Sequence, residues 1–553
     1  MSTGPVLVLG LDGAGWPVIE PLIASGSMPF LARLVTTGVR GDLRSPWPGS
    51  TFPSWTSIMT GVSPGVHGML DFTAFDPPTY SVRFIESSSR RTPAIWELAH
   101  RAGRVCAVLG VPGTFPPDTA VDLMVAGFDT PVTTSTEPSF IHPPSWRKRL
   151  AAAGGFPLTP VQELRIGPGW HRKAWQALQG SIEGKTRIAE LVLRELRPDL
   201  FVMVFGESDT VCHHFWPFAD SESPRRREGE TAGLDAAIRD IYSRLDTALE
   251  RIVSAASDPE LVMVVSDHGF GGAGIDAIHI NRFLAQRGFL RFGAKSQPSP
   301  RVPSVLQAAS LLPRGTQQRL FRRAKGLAGR LESRRRLGGI VWDETTAFSE
   351  ELPYAPAVRL NVRGREGRGT VAPSRYESVR DEIAQALENW RDRETGAMVV
   401  RRVLRREEAY QGPAVSAMPD LLLDLAIPGG YTYVVASSGG SMGPVQVRLD
   451  PRVLGAKGWG MNGTHRREGI FVATGGSLTA GRIAGTIHSE QVAASILASL
   501  AVPVPASMSL PPAELPHAPR DGKKGAPSPR IHADETSWEW DRLRRLKELG
   551  YLD

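Results

Sequence analysis

The chain has 553 residues, of which 41% are hydrophobic and 22% are charged, a composition typical of a globular protein. It is too long for one small core, so we expect a large α/β domain with an inserted or appended subdomain. The net charge of +7 comes from segment 301–336, which contains ten basic residues and one acidic residue. The rest of the chain is slightly acidic, so the high pI does not indicate a general affinity for nucleic acid.

Several classes of protein are disfavoured by what the sequence lacks. No apolar run approaches the roughly 20 residues that a membrane helix needs. The N-terminus enters a strand without the basic and apolar regions of a signal peptide. Two cysteines, Cys106 and Cys212, lie far apart and do not make a disulfide framework. We therefore expect a cytoplasmic protein without a transmembrane segment.

Hydrophobic periodicity and Gly and Pro breaks predict the elements in chain order. Buried strands are predicted at Val6–Leu11, 105–109, 123–127, 200–205, 261–265 and 421–425. Helices are predicted at 28–37, 92–103, 181–196, 234–255, 376–390 and 490–500. The stretch 131–180, rich in Pro, Gly and Trp, is expected to form loops and a helix over the active face.

We expect an α/β chain with four parts. The predicted parts are a first part of the catalytic core at 1–297, a basic helical insertion or cap at 298–340, a second part of the core at 341–500, and a Pro-rich segment with a C-terminal helix at 501–553. The alternation of strands and helices favours a mostly parallel sheet.

The stretch 48–61, PGSTFPSWTSIMTG, predicts a turn followed by a short helix. Thr51 is expected at or just before the N-terminus of that helix, where free N–H groups and the helix dipole favour an anion. Its hydroxyl can cap the helix, which is an ordinary role for Thr. It can also attack a phosphorus atom whose oxygens rest on those N–H groups. The stretch alone favours capping.

Carboxylates and imidazoles follow the predicted strands. Asp12, Asp209 and Asp267 follow three apolar strands, and His213, His268 and His465 accompany them, the last in a Gly-flanked loop before a strand. Active sites of open α/β sheets form at such strand ends. This mixed set of oxygen and nitrogen ligands suits zinc, manganese or iron, and it is large enough for two ions. Two ions about 4 Å apart can clamp an in-line displacement at phosphorus.

Six motifs make the chain similar to a known family. They are LDG at Asp12, STFPSWTSIMTG at Thr51, SPGVHG at His67, ESDTVCHH at Asp209, SDHGF at Asp267 and GTHRREGIF at His465. In this order they resemble the type I phosphodiesterase/nucleotide pyrophosphatase branch of the alkaline phosphatase superfamily. The resemblance implies an alkaline-phosphatase-like three-layer α/β/α fold with a mostly parallel central sheet and an inserted cap. It also implies a hydrolase that acts on phosphoric ester bonds.

The resemblance also implies a role for each motif residue. Thr51 would be the nucleophile, would form a covalent phospho-threonine and would ligate one metal ion together with Asp12, Asp267 and His268. Asp209, His213 and His465 would ligate the second ion, with His214 as a neighbouring rival to His213. Zinc is implied for both ions, and manganese is an alternative. His67 has no partner at ligand spacing, so we expect it to hold a loop.

The chain departs from the family where nucleotide pyrophosphatases have an Asn after the HG-x-x-D stretch. Phe72 stands there, so a phosphoryl oxygen would be held by amides near Thr51 or by Asn462, and Phe72 either lines a substrate pocket or packs in the core. A sulfatase is disfavoured because STFPSW lacks the Arg of the modified sulfatase motif. A phosphoryl transferase or phosphomonoesterase of the same fold, and a binding protein without turnover, remain alternatives.

The expected partner is a phosphorylated small molecule. The basic segment 301–336 would either be a solvated helical face or contact phosphorylated substrates, nucleic acid or anionic lipid.

Overall fold

The computed structural model of the chain describes residues 4–127, 140–158, 161, 164, 168–226, 233–293, 329–330, 332–450, 462–476 and 478–516. Its strands are β1 Val6–Leu11, β2 Val39–Arg44, β3 Thr73–Asp76, β4 Ser81–Phe84, β5 Cys106–Leu109, β6 Leu123–Val125, β7 Ile141–His142, β8 Leu200–Phe205, β9 Leu261–Val265, β10 Gly269–Ile278, β11 Ala347–Phe348, β12 Ala357–Leu360, β13 Val400–Arg405, β14 Leu421–Leu425, β15 Thr432–Val435, β16 Gln446–Arg448, β17 Gly463–Arg466, β18 Glu468–Thr474 and β19 Gly481–His488.

Thirteen α-helices lie wholly in the described part of the chain. They are α1 Trp16–Ala24, α2 Pro29–Thr37, α3 Thr51–Thr60, α4 Pro64–His67, α5 Ile95–Arg101, α6 Trp146–Ala152, α7 Trp170–Leu196, α8 Glu207–Ala219, α9 Ala237–Ala255, α10 Ile280–Gln286, α11 Tyr376–Glu388, α12 Arg406–Ala409 and α13 Ser489–Ser499.

A nine-stranded sheet runs through the middle of the chain in the order β19-β2-β18-β9-β1-β8-β5-β6-β7. Seven of its strands share one direction, and β18 and β7 oppose them. The strand β1 is fully buried, as the continuous apolar run VLVLGL predicts for a parallel strand covered on both faces. The predicted mostly parallel sheet is confirmed.

Helices cover both faces of this sheet. Side chains at alternate positions of β1 point to opposite faces: Leu7 and Leu9 join one buried cluster with α7 and α9, whereas Val6 and Val8 join another with α3, α5 and α13. This is the three-layer α/β/α arrangement that the sequence predicts.

A smaller sheet lies in the second half of the chain. It has the order β11-β12-β14-β13 and packs with α10 and α11 around a separate hydrophobic cluster. Of the predicted cap at 298–340, residues 329–330 and 332–340 are described, and the others lie outside the described residues. The three predicted boundaries between the four parts stay predictions, and the predicted C-terminal helix lies outside the described residues.

The structure corrects two local expectations and adds two elements that were not predicted. The helix predicted at 181–196 begins already at Trp170, since Gly180 lies inside α7 without interrupting it. Asp209 and His213, expected just past a strand end, lie on helix α8, which begins at Glu207 after β8. His465 lies in strand β17, which pairs antiparallel with β10. The strand β10 was not predicted because its glycines, GFGGAG, do not form an apolar run.

Cys106 and Cys212 are both buried and unbonded to each other. In the described part of the chain no single helix is long and apolar enough to cross a membrane, and α1 and α2 reach that length only together, across a bend of 103°.

Candidate metal centre

One edge of the central sheet gathers the predicted ligands. Asp12 follows the C-terminal end of β1, Asp267 and His268 follow β9, and α8 begins just after β8. The strand β18 runs the opposite way, so the residues that precede it, including His465, lie at the same edge. Parallel strands end together at such an edge, which explains how residues far apart in sequence meet.

The first ligand group centres on Nε2 of His268. This atom lies 3.3 Å from Thr51 Oγ1, 3.3 Å from Asp267 Oδ2 and 3.6 Å from Asp12 Oδ1. The two carboxylates and the imidazole are buried, with exposed fractions of 1% or less. Three oxygens from three side chains thus lie within 3.6 Å of one imidazole nitrogen.

The second ligand group joins Asp209, His213 and His465. Asp209 Oδ1 lies 3.3 Å from His213 Nε2 and 3.4 Å from His465 Nε2, and the two Nε2 atoms are 3.1 Å apart. The i,i+4 spacing on α8 brings Asp209 and His213 to one face of the helix. Asp209 also lies within 4.8 Å of the ligand atoms of Asp12 and His268, so the two groups adjoin.

The donor atoms fit two metal ions. In a tetrahedral site with bonds of about 2.0–2.1 Å, neighbouring ligand atoms lie roughly 3.3 Å apart. The distances in both groups are close to this spacing. Buried oxygens of Asp12, Asp209 and Asp267 also have no hydrogen-bond donor in the described part of the chain. Buried carboxylate oxygens of this kind are normally satisfied by hydrogen bonds or by a cation.

Burial and neighbouring charges shift the pKa values of the three carboxyl groups. Burial raises the pKa of Asp12 well above its ordinary value, and the negative charge of Asp209 adds to this. Burial and the charge of Asp12 likewise raise the pKa of Asp267. Burial opposes ionisation of Asp209 too, but His213 and His465 outweigh it and hold the pKa of Asp209 well below its usual range. Bound cations would favour ionisation of all three.

Burial also keeps imidazoles neutral, which is the form that binds metal. It lowers the pKa of His268 well below its ordinary value, with a further contribution from the neighbouring His465. Burial lowers the pKa of His465 as well, although Asp209 opposes the shift. Neutral imidazole nitrogens and carboxylates form the donor set that zinc commonly binds.

Thr51 is the first residue of α3, and the cap position belongs to Ser50. The Thr51 hydroxyl therefore does not act as the helix cap that the isolated stretch favours. Its recorded side-chain contact is with Nε2 of His268. The hydroxyl thus lies between the positive end of a helix and the first ligand group.

Neighbouring groups hold the ligands in place. The indole Nε1 of Trp55 donates to Asp12 Oδ2 at 3.0 Å, and the backbone N–H of Gly13 donates to Asp267 Oδ1 at 3.1 Å. The sequence indicated Trp55 only as a helix residue. A second aromatic residue, Tyr354, stacks on His465, and no sequence signal pointed to it.

The remaining candidates have different surroundings. His67 is fully buried, faces Ser57 Oγ at 3.0 Å through Nε2 and accepts the N–H of Met69, in agreement with its expected structural role. His214 packs edge-on against Trp170 and lies outside both ligand groups.

The two predicted substrate contacts differ from each other. Phe72 is 41% exposed, and its ring lies 6.4 Å from that of Phe52, the residue after Thr51. Asn462 is buried and donates to the carbonyl of His214 at 3.2 Å. Phe72 is thus partly exposed beside the residue that follows the candidate nucleophile, whereas the amide of Asn462 bonds the chain of α8. Neither observation tests substrate binding, so both roles stay predictions.

Comparisons with known proteins bear on the family and the fold. A family model described as type I phosphodiesterase / nucleotide pyrophosphatase matches residues 6–460. Ectonucleotide pyrophosphatase/phosphodiesterase family member 3 of Bos taurus is 30% identical over 94 residues, which are 17% of this chain and 10% of that protein. Family member 1 of Homo sapiens is 28% identical over 120 residues, 20% of this chain and 13% of that protein.

Solved structures give a longer match. Phosphonoacetate hydrolase from Sinorhizobium meliloti 1021 superposes with a TM-score of 0.52 and 15% sequence identity, over 90% of this chain and 95% of that chain. At this identity the likeness shows the fold alone. It agrees with the predicted α/β class and with the layers described above.

Proposed function

The chain belongs to the type I phosphodiesterase/nucleotide pyrophosphatase family of the alkaline phosphatase superfamily, and on that premise we propose that it is a metal-dependent phosphohydrolase. It would cleave phosphodiester or pyrophosphate bonds through a covalent intermediate on Thr51. One observation carries this proposal: the Thr51 hydroxyl lies at the start of α3, 3.3 Å from the imidazole of His268 in the first ligand group.

The proposed reaction has two displacements at phosphorus. The oxygen of Thr51 forms a bond to phosphorus while the bond to the leaving oxygen breaks, and the hydroxyl proton is released to solvent. Water then displaces Thr51 and restores the hydroxyl. The positive end of α3 favours the phosphoryl oxygens beside Thr51 in both steps.

The ligands would serve one purpose in common. Asp12, Asp267, His268 and Thr51 would hold one ion, and Asp209, His213 and His465 would hold the other. Divalent ions in such a pair activate a hydroxyl nucleophile and stabilise negative charge on the leaving oxygen. The spacing of the ligand atoms and the neutral imidazoles favour zinc, and manganese remains the alternative because carboxylate-rich sites accept it.

The substrate is proposed more broadly. We expect a phosphorylated small molecule, with the exposed ring of Phe72 against its organic part. Contact of segment 301–336 with nucleic acid or anionic lipid is a further proposal, as is a cytoplasmic location. In the described part of this segment, Arg336 is 4% exposed and paired with Glu332. Arg336 therefore belongs to the protein interior and would not contribute to a basic surface.

Initial rates on chromogenic substrates test the proposed chemistry. Full-length protein would be stripped of metal, restored with zinc or manganese, and assayed on a phosphodiester, a phosphomonoester and a nucleotide pyrophosphate. Thr51→Ala removes the nucleophile, so turnover should fall by several orders of magnitude. Thr60→Ala is the matched control, because Thr60 lies at the other end of α3 and bonds only the carbonyl of Thr56 in the described contacts.

The outcomes separate the alternatives. Diester or pyrophosphate cleavage that needs metal and disappears in Thr51→Ala supports the proposal. Binding of two ions without turnover of any substrate favours a binding protein instead. Products that carry an added alcohol, formed when alcohols are present, would identify a phosphoryl transferase.

A further inference from the structure

The imidazole of His465 is not fixed in the way that the other two histidines of the centre are. His213 and His268 each face a backbone carbonyl with Nδ1, at 2.8 Å and 3.0 Å. His465 has a hydrogen-bonding contact with the backbone of Gly49, but its buried Nδ1 does not reach strict hydrogen-bond geometry with any group in the described ranges. A second hydrogen bond of this kind commonly fixes the ring of a metal-binding histidine. The weaker contact of His465 leaves room for a further support.

Two parallel rings enclose His465. The ring of Tyr354 lies 4.1 Å away at an interplanar angle of 7°, and the ring of His268 lies 3.7 Å away at 23°. Two rings cannot occupy the same face at these distances, so His465 lies between them. The stack thus prevents the imidazole from tilting out of the plane that directs Nε2 toward Asp209 and His213.

Tyr354 reaches the centre from another part of the fold. It lies between β11 and β12, in the chain that builds the smaller sheet, and is separated from His465 by more than one hundred residues. It is half-buried, and no hydrogen bond to its hydroxyl is recorded within the described ranges. Its contacts with the centre are ring contacts, including one with His213 at 5.7 Å. The ring of Tyr354 therefore contacts two of the three ligands of this group, His465 and His213.

We propose that Tyr354 is a positioning residue that holds the imidazole of His465 in its ligand orientation by ring stacking. The proposal rests on the proposed function, because it assumes that Asp209, His213 and His465 bind an ion. It adds that the smaller sheet supplies a necessary support for that group. The support is specific for a flat ring and does not require a hydroxyl.

Zinc affinity is the appropriate readout, since it does not depend on a known substrate. Full-length protein would be titrated with zinc in competition with a chromophoric chelator. Tyr354→Leu should weaken one of two bound ions by about 10- to 100-fold, the usual effect of losing a group that orients a ligand. Tyr354→Phe keeps the ring, so we expect its zinc affinity to stay within a few-fold of the wild-type value.

A control variant separates this effect from general loss of stability. Trp342 stacks on Tyr80 at 3.8 Å and 22° in the same region of the chain, so Trp342→Leu removes a comparable stack. It should lower the melting temperature and leave both zinc affinities unchanged. If Tyr354→Leu does not fold, Tyr354→Met supplies a second non-aromatic side chain of similar volume that is unbranched and more flexible. The zinc affinity of the Met variant then decides the question in the same way.

Each remaining outcome overturns the inference. Wild-type affinity for both ions in the Leu or Met variant would mean that stacking is not needed. An equal loss in Tyr354→Phe would assign the effect to the hydroxyl. Failure of the wild-type protein itself to bind two ions would overturn the proposed function and this inference together, whereas the first two outcomes leave the proposed function intact.

Discussion

The hydrogen bond between Trp55 and Asp12 offers a sharp test of the metal centre. Trp55 is fully buried and Asp12 is 1% exposed, and the indole Nε1 donates to Asp12 Oδ2 at 3.0 Å. The other oxygen, Oδ1, points toward Nε2 of His268 and has no donor of its own in the described part of the chain. In the proposed centre, this hydrogen bond would leave Oδ1 as the oxygen available to an ion.

Trp55→Phe keeps an aromatic ring and removes this donor. Both oxygens of Asp12 would then lack a partner in the metal-free protein. Leaving a buried polar group without its hydrogen-bond partner costs about 1–3 kcal/mol, so we expect the free energy of unfolding to fall by about 2 kcal/mol. Loss of a group that orients a ligand lowers metal affinity by about 10- to 100-fold, which corresponds to roughly 1.4–2.8 kcal/mol.

The assay is zinc titration combined with denaturant unfolding of the metal-free protein. Trp96→Phe is a close control, because the Trp96 Nε1 also donates to a buried carboxylate, Asp118 Oδ2 at 2.9 Å. Trp96→Phe should lower the free energy of unfolding and leave zinc affinity unchanged. Equal zinc affinity in Trp55→Phe and the wild-type protein would refute the reasoning that Asp12 is a ligand oriented by Trp55.

Three further outcomes are expected. Burial raises the pKa values of Asp12 and Asp267 in the folded protein above their ordinary value of 3.8. The protonated carboxyls therefore stabilise the fold fully when the pH is below 3.8, and this stabilisation is lost as the pH rises through the folded pKa values. Zinc should therefore raise the melting temperature more at about pH 7.5 than at about pH 5.5, and a shift that shrinks with rising pH would contradict this. Gly10→Ala would place a Cβ 2.3 Å from the Trp55 ring, so unfolding should become easier by about 1–3 kcal/mol and zinc affinity should fall. Phe72→Ala should raise KM for aromatic esters with little change in melting temperature, because its ring is 41% exposed; unchanged kinetics on every ester would remove Phe72 from the substrate site.

Two controls sharpen these tests. Gly180→Ala adds a Cβ that meets nothing within 4 Å, so it should not destabilise α7, whereas Gly10→Ala should destabilise β1. Phe84→Ala removes the ring stacked 6.5 Å from Phe72, and we expect a smaller effect on KM because Phe84 is separated from Phe52 by Phe72.

The sequence predicted the parts of the centre that depend on buried strands. The apolar runs of β1, β8 and β9 are long enough to identify, and parallel strands end at a common edge. Asp12 and Asp267 are therefore located by simple patterning. The position of Thr51 at the start of a helix also follows locally, from the Pro and Gly residues before it.

Other parts depend on contacts that no local pattern contains. The strands β10 and β17 consist partly of glycines that close neighbours require, as at Gly463, where a Cβ would lie 2.4 Å from the Phe270 ring. Such strands do not show an apolar run, so His465 was expected on a loop. Tyr354 approaches from the smaller sheet, and only the tertiary fold brings its ring to His465.

The central claim is that Thr51 is the nucleophile of a two-metal phosphohydrolase. The most direct measurement is to mix the zinc-loaded protein with a chromogenic phosphodiester, quench in acid within milliseconds, and map the modified peptide by mass spectrometry. We predict a phosphoryl-containing group on Thr51 in the wild-type protein and none in Thr51→Ala. Rapid product formation with an unmodified Thr51, or turnover by Thr51→Ala at the wild-type rate, would contradict the account.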